Sequence, residues 1–149
     1  MLKQINGLHH VTSIASDAQA NNDFFTGTLG LRRVKKTVNF DAPEVYHLYY
    51  GDETGTPGSV MTYFPFPNAR RGRPGLGEVG TTLFAVPEGS LGWWRERLGG
   101  LGVPGLAEEE AFGAPRLHFQ GPDGDAFALV EVPGDARAPW GEEIGRAHV

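Results

Sequence analysis

The sequence of 149 residues lacks cysteine and lacks any long apolar run. The absence of cysteine excludes disulfide bonds and thiolate metal ligands together. No segment approaches the roughly 18 consecutive apolar residues of a membrane-spanning helix, and residues 1–7 contain no apolar core of a signal peptide. We therefore expect a globular protein of the cytoplasm without a membrane partner.

An excess of positive charge is also lacking, because the formal net charge is -5. Basic residues cluster in only two places, which are typical of solvated strand and loop positions: residues 32–36 and 70–73. This distribution argues against a nucleic-acid partner. Hydrophobic residues make up 40% and aromatic residues 11% of the chain, which is enough to build a core.

The first half of the chain shows a β-α-β-β-β order of hydrophobic periodicities. The predicted helix, Asp17 to Thr28, has Ser16 or Asp17 as N-cap and Gly30 just past its end. The predicted strands are Leu8–Ala15, Leu31–Phe40, Val45–Gly51 and Ser59–Phe66.

The same order begins again after a connector rich in glycine, proline and arginine, residues 68–77. Its predicted helix is Ser90–Leu98, and its predicted strands are Glu78–Val86, a poorly patterned segment Val103–Phe112, Arg116–Gln120 and Ala126–Val132. Such self-similarity indicates two copies of one supersecondary unit that bury their apolar faces together.

The pair His9-His10 lies on the first predicted strand, where an imidazole can be a preorganised metal ligand. Strand alternation places His10 and Thr12 on one face and His9 and Val11 on the other. The alternative is a structural pair of histidines that bind backbone groups.

Several motifs, together with the duplicated order, give the chain its family resemblance: Gly7-Leu-His-His-Val-Thr12, Asp23-Phe-Phe25, Val34-Lys-Lys-Thr37, the segment 46–58, Phe64-Pro-Phe-Pro67 and the segment 85–91. The chain resembles the vicinal oxygen chelate superfamily, which includes glyoxalase I, bleomycin-resistance-type binding proteins and extradiol dioxygenases. It is most similar to the N-terminal half of hydroquinone-type ring-cleaving dioxygenases, whose chains contain four such units.

The resemblance implies an α+β fold in which two tandem βαβββ units form one domain with a curved mixed sheet. The domain is expected over residues 1–140, with units at about 5–67 and 77–133. It also implies an Fe(II) cofactor, with another divalent metal such as Mn as the alternative, and a dihydroxylated aromatic substrate that reacts with O₂. By resemblance His10 is a metal ligand and His9 is the catalytic acid/base or substrate-orienting histidine.

A non-heme iron site needs two histidines and one carboxylate, and the other ligand positions of the two units hold no such residue. Those positions are Met61-Thr-Tyr-Phe64, Thr81-Thr82 and Ala128. Glu131 lies on the opposite strand face from Ala128 and is expected to be exposed. His47 and His118 are expected to be structural. A set of aromatic residues either lines a substrate pocket or packs as ordinary strand residues: Tyr46, Tyr49, Tyr63, Phe64 and Phe66.

The segment Glu143-Ile-Gly-Arg-Ala-His-Val149 matches a translated sequencing adapter, so the tail 141–149 is expected to be artefactual or disordered. We therefore expect the chain to be the truncated N-terminal domain of a ring-cleaving dioxygenase, inactive alone and in need of its C-terminal half or of a homo-oligomeric partner. Two alternatives remain: a homodimeric binding protein of the bleomycin-resistance type, and a glyoxalase-like lyase that assembles its metal site across a dimer.

Overall fold

The computed structural model describes residues 7–73 and 75–136, which form two units of the same element order. The first unit comprises β1 (His10–Ala15), α1 (Ala18–Asp23) continued by a π-helical segment (Phe24–Thr28), β2 (Arg32–Val38), β3 (Tyr46–Gly51) and β4 (Val60–Pro65). The second unit comprises β5 (Thr82–Val86), α2 (Leu91–Gly100), β6 (Ala107–Ala111), β7 (Ala114–Gln120) and β8 (Ala126–Glu131). Both predicted βαβββ units are therefore present.

Each unit builds its own four-stranded mixed sheet, and the two strand orders correspond: β1-β4-β3-β2 and β5-β8-β7-β6. In each sheet the first and last strands of the unit pair in parallel, and the remaining pairs are antiparallel. The helix of each unit makes the crossover between its first strand and the rest of the sheet, as a parallel pair requires. The predicted α+β fold class is confirmed.

The first helix is bounded by an N-cap side chain at its start and by a glycine with positive φ just past its end. The side chain of Asp17 accepts a 2.6 Å hydrogen bond from the backbone N–H of Ala20, as an N-cap residue does. The helical segment ends at Thr28, and Gly30, just past the C-cap Leu29, has a φ of 70°, which is favourable for glycine. The last part, from Phe24, is π-helical rather than α-helical, a change that the periodicity does not predict.

The hydrophobic core is shared between the two units. Phe127 of β8 has its ring centroid 6.1 Å from that of Phe24 and 5.8 Å from that of Phe25, both in the first unit. The guanidinium of Arg97 in α2 donates to the backbone oxygens of Gly27 and Thr28. These contacts join the helical segment of the first unit to β8 and α2 of the second.

Some predicted boundaries differ from the structure. The strand predicted over Val103–Phe112 is confined to β6, because Pro104 and Gly105 lie in a turn and Gly105 has a φ of 72°. The strand predicted from Glu78 begins at Thr82. The predicted domain end at residue 140 and the tail 141–149 lie outside the described residues.

Candidate functional site

The two adjacent histidines lie at the exposed start of β1. His10 is the first residue of the strand, and the Nδ1 atoms of His9 and His10 are 3.0 Å apart, so one ring donates to the other. The carbonyl of His9 accepts a 2.7 Å hydrogen bond from the backbone N–H of Gly58, which holds this end of the strand. When Nδ1 of His10 is the donor in this pair, Nε2 carries the lone pair and is the ring nitrogen that remains for coordination.

His10 belongs to the sheet face that points away from the core, which we call the His10 face. Along β1, exposed residues His10, Thr12 and Ile14 alternate with half-buried Val11 and Ser13. Across the strands, register places Thr12, Thr62, Tyr49 and Lys35 in one row. In the next row Ile14 pairs with Phe64 and Thr37 pairs with His47, and the rings of Phe64 and His47 are in contact. The His10 face comprises His10 and these two rows.

A continuous hydrogen-bonded network crosses the His10 face. The Oγ1 atoms of Thr12 and Thr62 are 2.8 Å apart, and Oγ1 of Thr62 is 3.0 Å from Nε2 of His47. Nδ1 of His47 is in turn 2.8 Å from the hydroxyl of Tyr49. Three strands therefore contribute to one polar network beside His10.

The environment of His47 favours the neutral form of its imidazole. Burial lowers the pKa of His47, and electrostatic interactions with the nearby His10 and Lys35 lower it further. The ring also lies against Phe64, with 3.9 Å between ring centroids. Sequence reasoning assigned His47 a structural role, although its spacing of two residues from Tyr49 already placed both side chains on one strand face.

The aromatic residues proposed for a substrate pocket divide between the two faces of the first sheet. Tyr49 and Phe64 are half-buried on the His10 face. Tyr63 is fully buried in the core, where its ring lies 5.0 Å from that of Phe25. Burial raises the pKa of Tyr63, so its hydroxyl remains protonated. Tyr63 is therefore a core residue.

The second sheet carries different side chains at the positions that correspond to the His10 face. Ala128 is completely buried and pairs in register with Leu83 and His118. Nε2 of His118 is 3.1 Å from a carboxylate oxygen of Glu109, and the structural role of His118 stays a prediction. Glu131 was expected to be exposed but is half-buried, because its carboxylate accepts a 2.9 Å hydrogen bond from the backbone N–H of Leu91 at the start of α2.

The described residues do not fit a complete iron centre. Among residues 7–73 and 75–136, no group of three or more histidine, cysteine, aspartate or glutamate side chains is placed to hold a metal ion. The His10 face offers one exposed imidazole beside two threonines and a half-buried histidine. His10 can therefore supply one of the three protein ligands that non-heme iron requires. Within the same residues, no helix has the length and apolar character needed to cross a membrane.

Residues 7–139 match the model of the glyoxalase/bleomycin resistance protein/dioxygenase superfamily. The chain is 46% identical over 131 residues to MhqO of Bacillus subtilis (strain 168), which is assigned as a ring-cleaving dioxygenase, and this match covers 88% of the chain and 42% of MhqO. It is 39% identical over 142 residues to the chlorohydroquinone/hydroquinone 1,2-dioxygenase of Sphingobium indicum, with 93% and 44% of the two chains covered.

A crystal structure of a protein from Bacillus subtilis subsp. subtilis str. 168, described as a dioxygenase, superposes with a TM-score of 0.87 at 43% identity. That match covers 95% of this chain and 46% of the other. A glyoxalase family protein from Enterococcus faecalis shares the fold at 22% identity, with a TM-score of 0.65 and 98% of its chain covered. The chain thus spans less than half the length of its dioxygenase relatives. Sequence and fold agree that the chain belongs to the glyoxalase/bleomycin resistance protein/dioxygenase superfamily.

Proposed function

We propose that this chain is the His10-bearing part of an Fe(II)-dependent ring-cleaving dioxygenase that opens a dihydroxylated aromatic ring with O₂. The observation that carries the proposal is the position of His10, exposed at the start of β1 with its Nδ1 atom held by His9. A ring nitrogen fixed by a hydrogen bond orients the other nitrogen for coordination, as in many metal sites. The identity of 46% to MhqO over 88% of the chain supports the same reaction class.

In this proposal the second histidine and the carboxylate come from residues other than those described. The dioxygenase relatives are more than twice as long as the matched segment, which leaves room for two further units. His10 would hold one coordination position of the completed centre, where bound iron would supply the activation of O₂ and of the aromatic ring. Mn is the alternative metal.

The role proposed for His9 is proton transfer next to His10. Its Nδ1 atom lies 3.0 Å from Nδ1 of His10, and the side chain is exposed. Histidine changes its charge near neutral pH, which makes it suited to accept or donate a substrate proton. In the same site His9 also fixes the tautomer of His10, because only one of the two facing nitrogens carries the shared hydrogen.

The second candidate function is a homodimeric binding protein without chemistry. It is favoured by the lack of a cluster of three metal-binding side chains in the part of the chain that the structure describes. The half-buried Tyr49 and Phe64 on the His10 face would then contact an aromatic ligand directly.

The experiment that tests the proposal starts by reading the source DNA past the codon for Trp140 and expressing the protein that the continuing frame encodes. After anaerobic loading with Fe(II), we expect oxygen uptake with hydroquinone. His10→Ala should reduce this rate by more than the roughly 10–100-fold that loss of an outer-shell partner costs. His118→Gln, a histidine change in the other sheet, is the matched control and should keep the rate.

The 149-residue chain itself should show no iron-dependent oxygen uptake with hydroquinone, because its described residues supply one ligand. Uptake by this chain, or full activity of His10→Ala in the longer protein, would contradict the proposal. A reading frame that ends in genuine genomic sequence near residue 149 would favour the binding protein.

A further inference from the structure

The network on the His10 face connects an exposed hydroxyl to a half-buried histidine. Thr12 is exposed, Thr62 is completely buried, and His47 is half-buried. The distances between successive polar atoms are 2.8 Å and 3.0 Å, followed by 2.8 Å to the hydroxyl of Tyr49. A change in the tautomer of His47 can therefore alter the hydrogen bonding of the exposed Thr12 beside His10, because the hydroxyls of Thr62 and Thr12 connect the two sites.

The buried hydroxyl of Thr62 makes this connection directional. A hydroxyl has one hydrogen to donate, and the neighbours of Thr62 Oγ1 are His47 and Thr12. If Nε2 of His47 donates to Thr62, then Thr62 donates to Thr12, and the hydrogen of Thr12 is free for another group. If Thr62 instead donates to Nε2, Thr12 uses its hydrogen on Thr62 and presents only lone pairs.

The groups around His47 leave both directions of the hydrogen-bond network possible. A neutral imidazole has two tautomers, whereas a protonated one donates from both nitrogens. The groups that face His47 are His10 from β1, Lys35 from β2, Tyr49 on β3, and the uncharged Thr62 and Phe64 from β4. Burial, together with electrostatic interactions with His10 and Lys35, lowers the pKa of His47 and so favours its neutral form. Both directions of the network are therefore available near neutral pH.

We infer that His47 is a positioning residue that acts through Thr62 and sets whether Thr12 donates to, or accepts from, a hydroxyl of a dihydroxylated aromatic ring bound beside His10. This role rests on the proposed function, which supplies the class of ligand. The network is not needed to join the strands, since β1, β4 and β3 are already paired through their backbones. Its exposed end at Thr12 lies two residues from His10 on the same face.

The first test measures the coupling in the metal-free 149-residue chain. Long-range ¹H–¹⁵N spectra report the tautomer of each histidine ring. Thr12→Val should shift the Nδ1 and Nε2 resonances of His47, although Thr62 stands between the two residues. Ser13→Ala, a change at the next position on the opposite face of β1, is the matched control and should leave them in place. Equal effects of the two variants would overturn the role of His47.

The second test measures ligand recognition with hydroquinone as the probe. Titration into the metal-free chain should shift the His47 resonances. Thr62→Val removes the hydroxyl that orients the hydrogen of Thr12 and should weaken hydroquinone binding by about tenfold, an effect of the size of one hydrogen bond. Thr62→Ser restores the hydroxyl and should bind within about twofold of the original chain. Unchanged affinity of Thr62→Val, or no shift of His47 on titration, would refute the proposal.

The experiments distinguish a failure of the dioxygenase proposal from a failure of the role inferred for His47. If the longer protein loses oxygen uptake in His10→Ala while Thr62→Val binds hydroquinone normally, the dioxygenase stands and the role of His47 is wrong. If Thr62→Val weakens binding but the longer protein never consumes oxygen with hydroquinone, the binding role stands and the dioxygenase is wrong.

Discussion

Phe127 offers a direct test of whether the two units share one core. Its side chain is 1% exposed, and its ring centroid lies within 5.5 to 6.1 Å of four other aromatic rings, two of them in the first unit. Truncation of a buried phenylalanine to alanine costs about 3–5 kcal/mol, because transfer energy is lost and a cavity remains. Aromatic pairs add about 0.5–1.5 kcal/mol each, so we expect a value near the upper end for Phe127→Ala.

The sequence provides a separate spectroscopic probe for each unit. All four tyrosines lie in the first unit, and in a Trp140→Phe background the remaining tryptophans, Trp93 and Trp94, lie in α2 of the second unit. Urea unfolding followed by tyrosine absorbance and by tryptophan fluorescence therefore observes the two units independently. With a shared core the two transitions coincide, as two-state unfolding requires, and Phe127→Ala shifts both equally.

The controls separate core packing from a general loss of aromatic surface. Phe40→Ala removes a ring that is 98% exposed and should change the free energy of unfolding by less than about 0.5 kcal/mol. Phe127→Leu leaves most of the volume in place and should cost about 1–2 kcal/mol, which keeps the measurement possible if the alanine variant does not fold. A shift of only the tryptophan transition would refute the shared core.

Two further predictions concern single carboxylates, each measured by urea unfolding. Burial raises the pKa of Asp52, but hydrogen bonds, led by those from Thr56, outweigh burial and lower the pKa below 3.8. The ionised carboxylate therefore stabilises the fold above pH 3.8, and this stabilisation is lost as the pH falls through the lowered pKa. Asp52→Asn should therefore cost about 1–3 kcal/mol at pH 7 and progressively less in acid; a cost that stays constant with pH would contradict this. The control is Asp41→Asn at an exposed position, which should change the free energy of unfolding at pH 7 by less than about 0.5 kcal/mol. Asp17→Ala removes the N-cap of α1 and should cost about 1 kcal/mol, while Asp17→Asn, which can still accept from Ala20, should lose less; equal losses would argue against capping.

The parts of the fold that the sequence predicts well depend on local chemistry. The first helix is marked by the N-cap Asp17 and by Gly30 with positive φ, and both signals act within a few residues of the chain. β6 is predicted poorly because Glu108, Glu109 and Glu110 show no alternation of apolar and polar residues. It is the edge strand of its sheet, and charged side chains are tolerated there. Its pairing with β7 determines its bounds, and that pairing is not visible in the segment itself.

Strand alternation predicts which residues of β1 share the face of His10, but it does not predict the contacts between strands. The prediction that His10 shares a face with Thr12 is consistent with their exposure along β1. The connection of Thr12 to Thr62 and His47 was not predictable, because it requires β4 to lie between β1 and β3. These residues come from three segments separated by loops, and only the sheet order brings their side chains together.

The two units share a topology but differ in what their outward sheet faces can bind. In the first sheet this face carries His10 and the Thr12–Thr62–His47 network, whereas in the second Ala128 lies between Leu83 and His118. Ala128 has no group that can hydrogen-bond to a ring hydroxyl, and His118 already lies beside Glu109. Since orientation of a small aromatic ligand requires convergent polar groups beside apolar surface, hydroquinone should perturb the first sheet and leave His118 unchanged. Perturbation of His118 equal to that of His47 would show that topology alone, rather than these side chains, determines where the ring binds.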